Sequence, residues 1–318
     1  MGPAVPGEAG RLVNVFGTGR SGTTVLDLML GNAPDAFSVG EAYSWFRPNH
    51  QRHLELECCC DQRPCPVWAE LSRLPARHFH RDALAATGTT TIVDSSKQLS
   101  WLLDANRWAA KDGLAVANVA IWKDPVDLAY SFWKRDRHPD WFRRTFIDHY
   151  GRFFAMGLPN VAVRHQELMD EPAGLMERLC GHLGMDWEPG RDAFWEKDHH
   201  IIGGSHWGRA QVQEGRKLHA PPAKRPEAFE AALPDIRRRI RDDPKMGRLI
   251  ARLEAADLHA QEEEFPYTPR PAPRWTPWWH WYNRLERPWR RRRLGDARPE
   301  GERALLEKEM DRGGPPKS

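Results

Sequence analysis

Long apolar runs are what this chain most plainly lacks. No stretch approaches the roughly 18 apolar residues that a membrane-spanning helix needs. The first ten residues, with Gly2, Pro3, Pro6, Gly7 and Glu8, hold no apolar core of a secretory signal. A cytoplasmic location is the resulting expectation. An excess of one charge is missing too: 47 Lys and Arg stand against 44 Asp and Glu, and a net charge of +3 over 318 residues argues for no nucleic-acid partner. Cysteine is sparse, five in all, an odd number that cannot pair off completely. No internal repeat is visible. What is present is enough apolar material, 40% of residues, for one buried sheet in a single sizeable domain with appendages.

The most informative segment is Gly17 to Thr24, GTGRSGTT, which follows the apolar Leu12–Phe16 and precedes a helical pattern from Val25 to Leu30. A strand that delivers the chain into a Gly-rich turn and then a helix makes a cradle for an anion. Backbone N–H groups converge there, and the helix N-terminus carries partial positive charge. Three readings compete. As a Walker A loop the frame puts Thr23 where the phosphate-binding lysine belongs, which argues against an NTPase. As a dinucleotide fingerprint, Gly17, Gly19 and Gly22 satisfy GxGxxG, with Glu41 in place of the ribose-binding acid. In the third reading Arg20, Ser21, Thr23 and Thr24 are working groups aimed at a terminal phosphate or sulfate.

A second anion site is legible further on. Ala115–Trp122 alternates like a strand, and Lys123-Asp124-Pro125 then opens a helix predicted to contain Ser131, Lys134 and Arg135. Ser131 and Arg135, four apart, would share one helical face and converge with Lys123 on one phosphate. Between the two sites a β-branched strand, Thr90–Asp94, ends in Asp94-Ser95-Ser96-Lys97. Val161–Arg164, then Glu167-Leu168 and Pro172–Gly184, repeats the order of strand, turn and helix. In an open parallel sheet all these exits gather on the edge where ligands bind.

In this order the segments resemble the sulfotransferases that use 3′-phosphoadenylyl sulfate (PAPS). Bacterial and Golgi-type members of that family carry RSGTT in the loop that holds the 5′-phosphosulfate. Lys123-Asp124-Pro125 with Ser131 resembles the family's 3′-phosphate motif, Lys123 standing where the family has arginine. Asp94–Lys97 resembles its DSSK segment. Residues 164–168 and 175–184 resemble RYEDL and LxxLCxxLG, with His165-Gln166 replacing Tyr-Glu; the similarity spans about residues 12 to 190.

The resemblance implies an α/β fold, with a central, mainly parallel sheet flanked by helices, and transfer of a sulfuryl group from PAPS to an acceptor hydroxyl or amine. It implies that Gly19, Arg20, Ser21, Gly22, Thr23 and Thr24 hold the 5′-phosphate and that Lys123, Ser131 and Arg135 hold the 3′-phosphate. In the Gly-rich stretch His199–Arg209, it implies a flexible cover whose phosphate ligand is Arg209. Arg20 and Lys97 would stabilise developing charge, and Glu41 would be the base, with His50, His53, His199 and His200 as alternatives. No metal is expected. The acceptor stays open among carbohydrate, lipid, peptide and small alcohol. Two other functions compete: a Rossmann-type NAD(P) oxidoreductase built on Gly17, Gly19, Gly22 and Glu41, and a non-catalytic nucleotide-binding or membrane-adaptor protein.

Four of the cysteines cluster as Cys58-Cys59-Cys60 and Cys65, before Pro66-Val67-Trp68. With His53 they would form a zinc site only at a spacing that fits no standard one. The resembled bacterial sulfotransferases often carry CxCG and then a cysteine before a Pro-aromatic pair at this place, and the resemblance implies that the cluster shapes an acceptor-side insertion. Cys180 lies in an apolar helix pattern and reads as core. Glu227–Asp257 reads as helical, divided by Pro234 and Pro244. The organisation predicted is a flexible 1–10, a catalytic domain over 11–265 and an extension over 266–318. In that extension Trp278, Trp281, Tyr282 and Leu285 fall on one helical face beside Arg284, Arg287 and Arg290–Arg293. Trp275–Arg293 therefore either meets a membrane surface or packs back onto protein.

Overall fold

The computed structural model describes residues 10–46, 58–135, 141–217 and 225–260. The chain alternates strand and helix, as the sequence predicts. β1 (Arg11–Phe16), β2 (Ala36–Gly40), β3 (Thr91–Asp94), β4 (Ala115–Trp122) and β5 (Val161–Arg164) form one sheet in the order β2-β3-β1-β4-β5, and each neighbouring pair is parallel. Period-2 alternation sends successive side chains to opposite faces. Val13 and Val15 of β1 join Val119 and Ile121 of β4 and Val163 of β5 in one buried cluster. Phe16, Ala120, Trp122 and Ala162 belong to a second, and Leu12, Ile92 and Val116 to a third. Each valine, leucine, isoleucine or phenylalanine side chain among them taken fully out of water contributes about 1.5–3 kcal/mol.

Helices cover both faces. The first face carries α1 (Thr23–Leu30) and, after α8 (His165–Asp170), α9 (Pro172–Leu183), which presents Leu175, Met176, Leu179 and Cys180 to the sheet. Cys180 is thus core, as expected, and burial pushes its thiol up to about 12. On the other face α6 (Pro125–Trp133) and α7 (Trp141–Ala155) are backed by α11 (Glu227–Arg241) and α12 (Pro244–Ala255). Near β2 and β3 lie α2 (Ala42–Phe46), α3 (Pro66–Leu71), α4 (Phe79–Thr87) and α5 (Leu99–Lys111). α10 (His206–Glu214) leans on the start of α1.

The asparagines inside the sheet satisfy one another. Asn14 Nδ2 donates to Asn118 Oδ1 at 3.1 Å across β1 and β4, and Asn106 closes the network at 2.9 and 3.0 Å. One expectation fails: Pro234 does not divide its segment but lies inside α11. The residue is exposed, so the carbonyl that loses its partner faces water. Pro244 does open a new helix, with Asp243 capping its backbone N–H groups. Among the described residues no helix is long and apolar enough to cross a membrane. Residues 266–318, including Trp275–Arg293, lie outside the described residues, as does the predicted flexible start up to residue 9.

Candidate active site

The sheet register brings the predicted motifs to one edge. Gly40, Asp94, Phe16, Trp122 and Arg164 end the five strands at the same carboxyl edge, and the chain leaves each of them into the segment singled out in the sequence. Gly40 is level with Asp94 and Trp122 with Arg164, while β1 runs two residues past Asp94 and β4 two past Phe16. β1 is flanked by β3 on one side and β4 on the other, so the strand order reverses around it. The crevice at such a reversal is where open parallel sheets bind ligands.

The loop after β1 is a tight turn. Ser21 N and Ser21 Oγ both bond to the Thr18 carbonyl, at 3.2 and 2.7 Å. Gly17 permits that closeness, because a Cβ there would lie 2.3 Å from the Ile121 carbonyl and 2.4 Å from Ser21 Oγ. Gly22 caps α1 at φ 95°, with no side chain on its N–H groups and no acid in the first turn. Arg20 holds φ 76°, a conformation costly for a residue with a Cβ, and the strain leaves Arg20 and Gly19 exposed while Ser21, Thr23 and Thr24 are buried. The result is a short helix whose positive end has no side-chain cap and no acid in its first turn, with one exposed arginine beside it.

At the neighbouring exit Asp124 caps α6 by accepting from Val126 N at 2.8 Å, and Pro125 occupies the first turn. Lys123 is half-buried just before it, and burial together with the Arg20 guanidinium pulls its ammonium down to about 8. Lys134, at the end of α6 over the Tyr130 ring, is pulled down by burial and then by Arg20 and Arg135. Three cations from three places in the chain thus repel one another at one spot. Lys134 was passed over as a site residue in the sequence; its only signal was its place in a basic helix end. Ser131 is buried in α6 with its hydroxyl donating to the Asp127 carbonyl at 2.9 Å. Arg135, expected on the same helical face, lies two residues past the helix. The helix ends at Trp133, and Arg135 N closes a tighter turn on the Phe132 carbonyl at 3.0 Å.

The β2 and β3 exits are built differently. Glu41, buried directly after β2, forms an ion pair with Lys97, which follows β3. The two residues expected to act on the reacting groups therefore meet. Asp94, fully buried, is penalised by burial. Bonds from His80 at 2.9 Å, Ser96 N at 2.8 Å and Trp101 Nε1 at 2.8 Å more than offset that, leaving its carboxyl below the usual range. Asp27, on α1, was not flagged by sequence. Burial raises its carboxyl to about 8 although Ser38 Oγ donates to it at 2.7 Å, and its other oxygen has no partner.

The histidine alternatives are held elsewhere. His199 is buried with Nε2 on the Phe194 carbonyl at 2.9 Å, and burial lowers it to about 4. His200 Nδ1 faces Cys65 Sγ at 3.4 Å. His50 and His53 lie outside the described residues. The 199–209 stretch is not a free cover. Glu41 N donates to the Ile202 carbonyl at 2.8 Å, Ser205 N donates to Thr24 Oγ1 at 2.9 Å, and Arg209 is buried on α10 near the Cys59 thiol. Its residues are committed to β2 and α1, because Ile201 and Ile202 are drawn into the core.

The strand order also bears on the dinucleotide reading. That fold sets β2 beside β1, so that the acid ending β2 reaches the ribose of a nucleotide on the β1 turn. Here β3 intervenes, and Glu41 stands two strand spacings, about 10 Å, from β1. GxGxxG is present without the geometry that gives it meaning.

No protein-family profile matches the chain, and no curated protein does. Solved structures similar to it include two sulfotransferase domains. One, from the curacin biosynthetic pathway, is 15% identical with a TM-score of 0.46, covering 73% of this chain and 99% of its own. The other, from the Synechococcus PCC 7002 olefin synthase, is 14% identical with a TM-score of 0.42, covering 74% and 98%. Overlap of that quality leaves the function to be argued from the chain's own residues.

Proposed function

We propose that the protein transfers a sulfuryl group from PAPS to an acceptor hydroxyl or amine, releasing 3′-phosphoadenosine 5′-phosphate. The observation that carries the reading is the convergence of Arg20, Lys123 and Lys134 between the β1 and β4 exits, beside the N-terminus of α1, which no side chain caps. Mutually repelling cations at a positive helix end are stabilised by a ligand with more than one anionic group. The motif resemblance supplies the identity of that ligand. In this reading the 17–24 loop with Arg20 holds the 5′-phosphate, and Lys123, Ser131 and Lys134 hold the 3′-phosphate. Arg135 and Arg209 have the weaker geometric case.

The transfer breaks the bond from sulfur to the 5′-phosphate oxygen and forms one from sulfur to the acceptor, whose proton goes to the Glu41 carboxylate. In the resting protein Lys97 neutralises Glu41. A bound sulfuryl group gives Lys97 a competing anion at the same edge, freeing Glu41 to act as base while Lys97 and Arg20 stabilise charge on the transferring and leaving oxygens. The test is calorimetric titration with 3′-phosphoadenosine 5′-phosphate, ATP and NADH in wild type, Arg20→Ala and Lys123→Ala. Selective binding of the bisphosphate, weakened by both changes, is expected; preference for NADH or indifference to both changes would sink the proposal.

A further inference from the structure

The cysteine cluster folds into an arrangement that its spacing hides. Sγ of Cys58, Cys60 and Cys65 and Nδ1 of His200 all lie within 4.8 Å of one another. The Nδ1 atom is 3.7 Å from Cys58 Sγ and 3.4 Å from Cys65 Sγ. A tetrahedral zinc ion with bonds of about 2.3 Å to sulfur and 2.0–2.1 Å to nitrogen sets its sulfur and nitrogen ligands about 3.5 Å apart. Cys59 takes no part. The extended chain turns it to the other side, where its thiol donates to the His199 carbonyl at 3.0 Å.

The surroundings suit thiolates. Cys60 N donates to Cys58 Sγ and Trp68 N to Cys65 Sγ, each at 3.4 Å, the second as the cap of α3. The His200 ring stacks on Phe37, and its backbone carbonyl accepts from Trp68 Nε1 at 2.5 Å, so the main chain that carries the imidazole is fixed beside the cysteines. We infer that Cys58, Cys60, Cys65 and His200 bind one structural zinc ion, a closed site with no position left for substrate. Binding releases the three thiol protons and involves no redox change. The ion would fasten residues 58–65 to the strand-like 199–202, which pairs with Gly40 and Cys58 through Ile202 and with Glu41 through its backbone. It would therefore stiffen the wall behind the Glu41–Lys97 pair without touching the chemistry. The inference does not depend on what that pair does.

The test is metal analysis of the full chain, purified without added chelator, together with the absorption spectrum after exchange into cobalt(II). About one zinc per chain and intense tetrahedral cobalt bands with thiolate charge transfer are expected. Cys59→Ala and Cys180→Ala should keep the metal, whereas Cys65→Ser should lose it. Should Cys65→Ser fail to fold, His200→Cys, which preserves four ligands, should hold zinc with an altered cobalt spectrum. Metal at trace level in wild type grown with zinc, no cobalt bands, or a mass two hydrogens short from a disulfide among Cys58, Cys60 and Cys65 would each overturn the assignment.

Discussion

The two halves of the sheet's carboxyl edge hold their charges in opposite ways. Between β1 and β4, Arg20, Lys123 and Lys134 crowd together, so that burial and mutual repulsion depress both lysines. Between β2 and β3 the charges are answered from within: Glu41 by Lys97, and Asp94 by His80, Ser96 and Trp101. The first half gains stability when an anion arrives. The second is already organised and can change only by exchanging partners. A protein that binds an anionic donor on one half and reacts on the other is served by this asymmetry, because an anion gains most where like charges crowd and reactivity needs geometry that is already fixed.

Breaking the reacting half should have the largest effect. Glu41→Gln keeps an acceptor for Lys97 but cannot take a proton; turnover should fall roughly 10²- to 10⁴-fold, while the affinity for 3′-phosphoadenosine 5′-phosphate stays within about twofold. Steady-state rates set beside calorimetry read both, and an unchanged rate would favour a protein that binds without catalysis.

Breaking the binding half should cost less. Arg20→Ala is expected to weaken the same ligand by roughly 10- to 100-fold with little change in melting temperature, since the side chain is exposed. A parallel loss of stability would mean that Arg20 serves the fold instead.

The comparison sharpens with pH. Lys123 loses its proton near pH 8 in the free protein, so anion affinity should fall by several-fold as pH rises past that point. In Arg20→Ala the repelling neighbour is gone and the break should move to higher pH. Calorimetric titrations across pH 6 to 10 would show it; the same midpoint in both proteins would mean that Arg20 and Lys123 do not share a site.

Asp27 comes last, and its effect is read in stability alone, leaving the two halves of the site untouched. Folding raises its carboxyl from 3.8 to about 8, so the group favours the folded state fully below the unfolded value and withdraws that support as pH climbs to about 8. Asp27→Asn, which cannot ionise and still accepts from Ser38, should lose less stability across that window. Urea midpoints at several pH values would test this, and parallel curves would refute it.

Much of the site was readable in the chain because its parts are local. A β-branched run followed by Gly, Asp-Pro or Asp-Ser-Ser announces a strand exit whatever surrounds it, and the strands read at 12–16, 90–94, 115–122 and 161–164 lie within a residue of the observed β1, β3, β4 and β5. Lys134 and Asp27 escaped because their character comes from neighbours, an arginine from another loop in one case and burial in a helix interior in the other. The grouping of the cysteines with a histidine escaped for the same reason. Its fourth member, His200, is 135 residues beyond Cys65, so no local spacing can announce it.

By itself the sequence determined the alternation of strand and helix, the anion-cradling loop and the cations near it, since period, turn chemistry and caps act over a few residues. Only the tertiary structure decided the strand order that parts Glu41 from β1, the pairing of Glu41 with Lys97 and the gathering of three cysteines around His200. These depend on which distant segments share a buried surface, and that choice is made by the packing of the whole core.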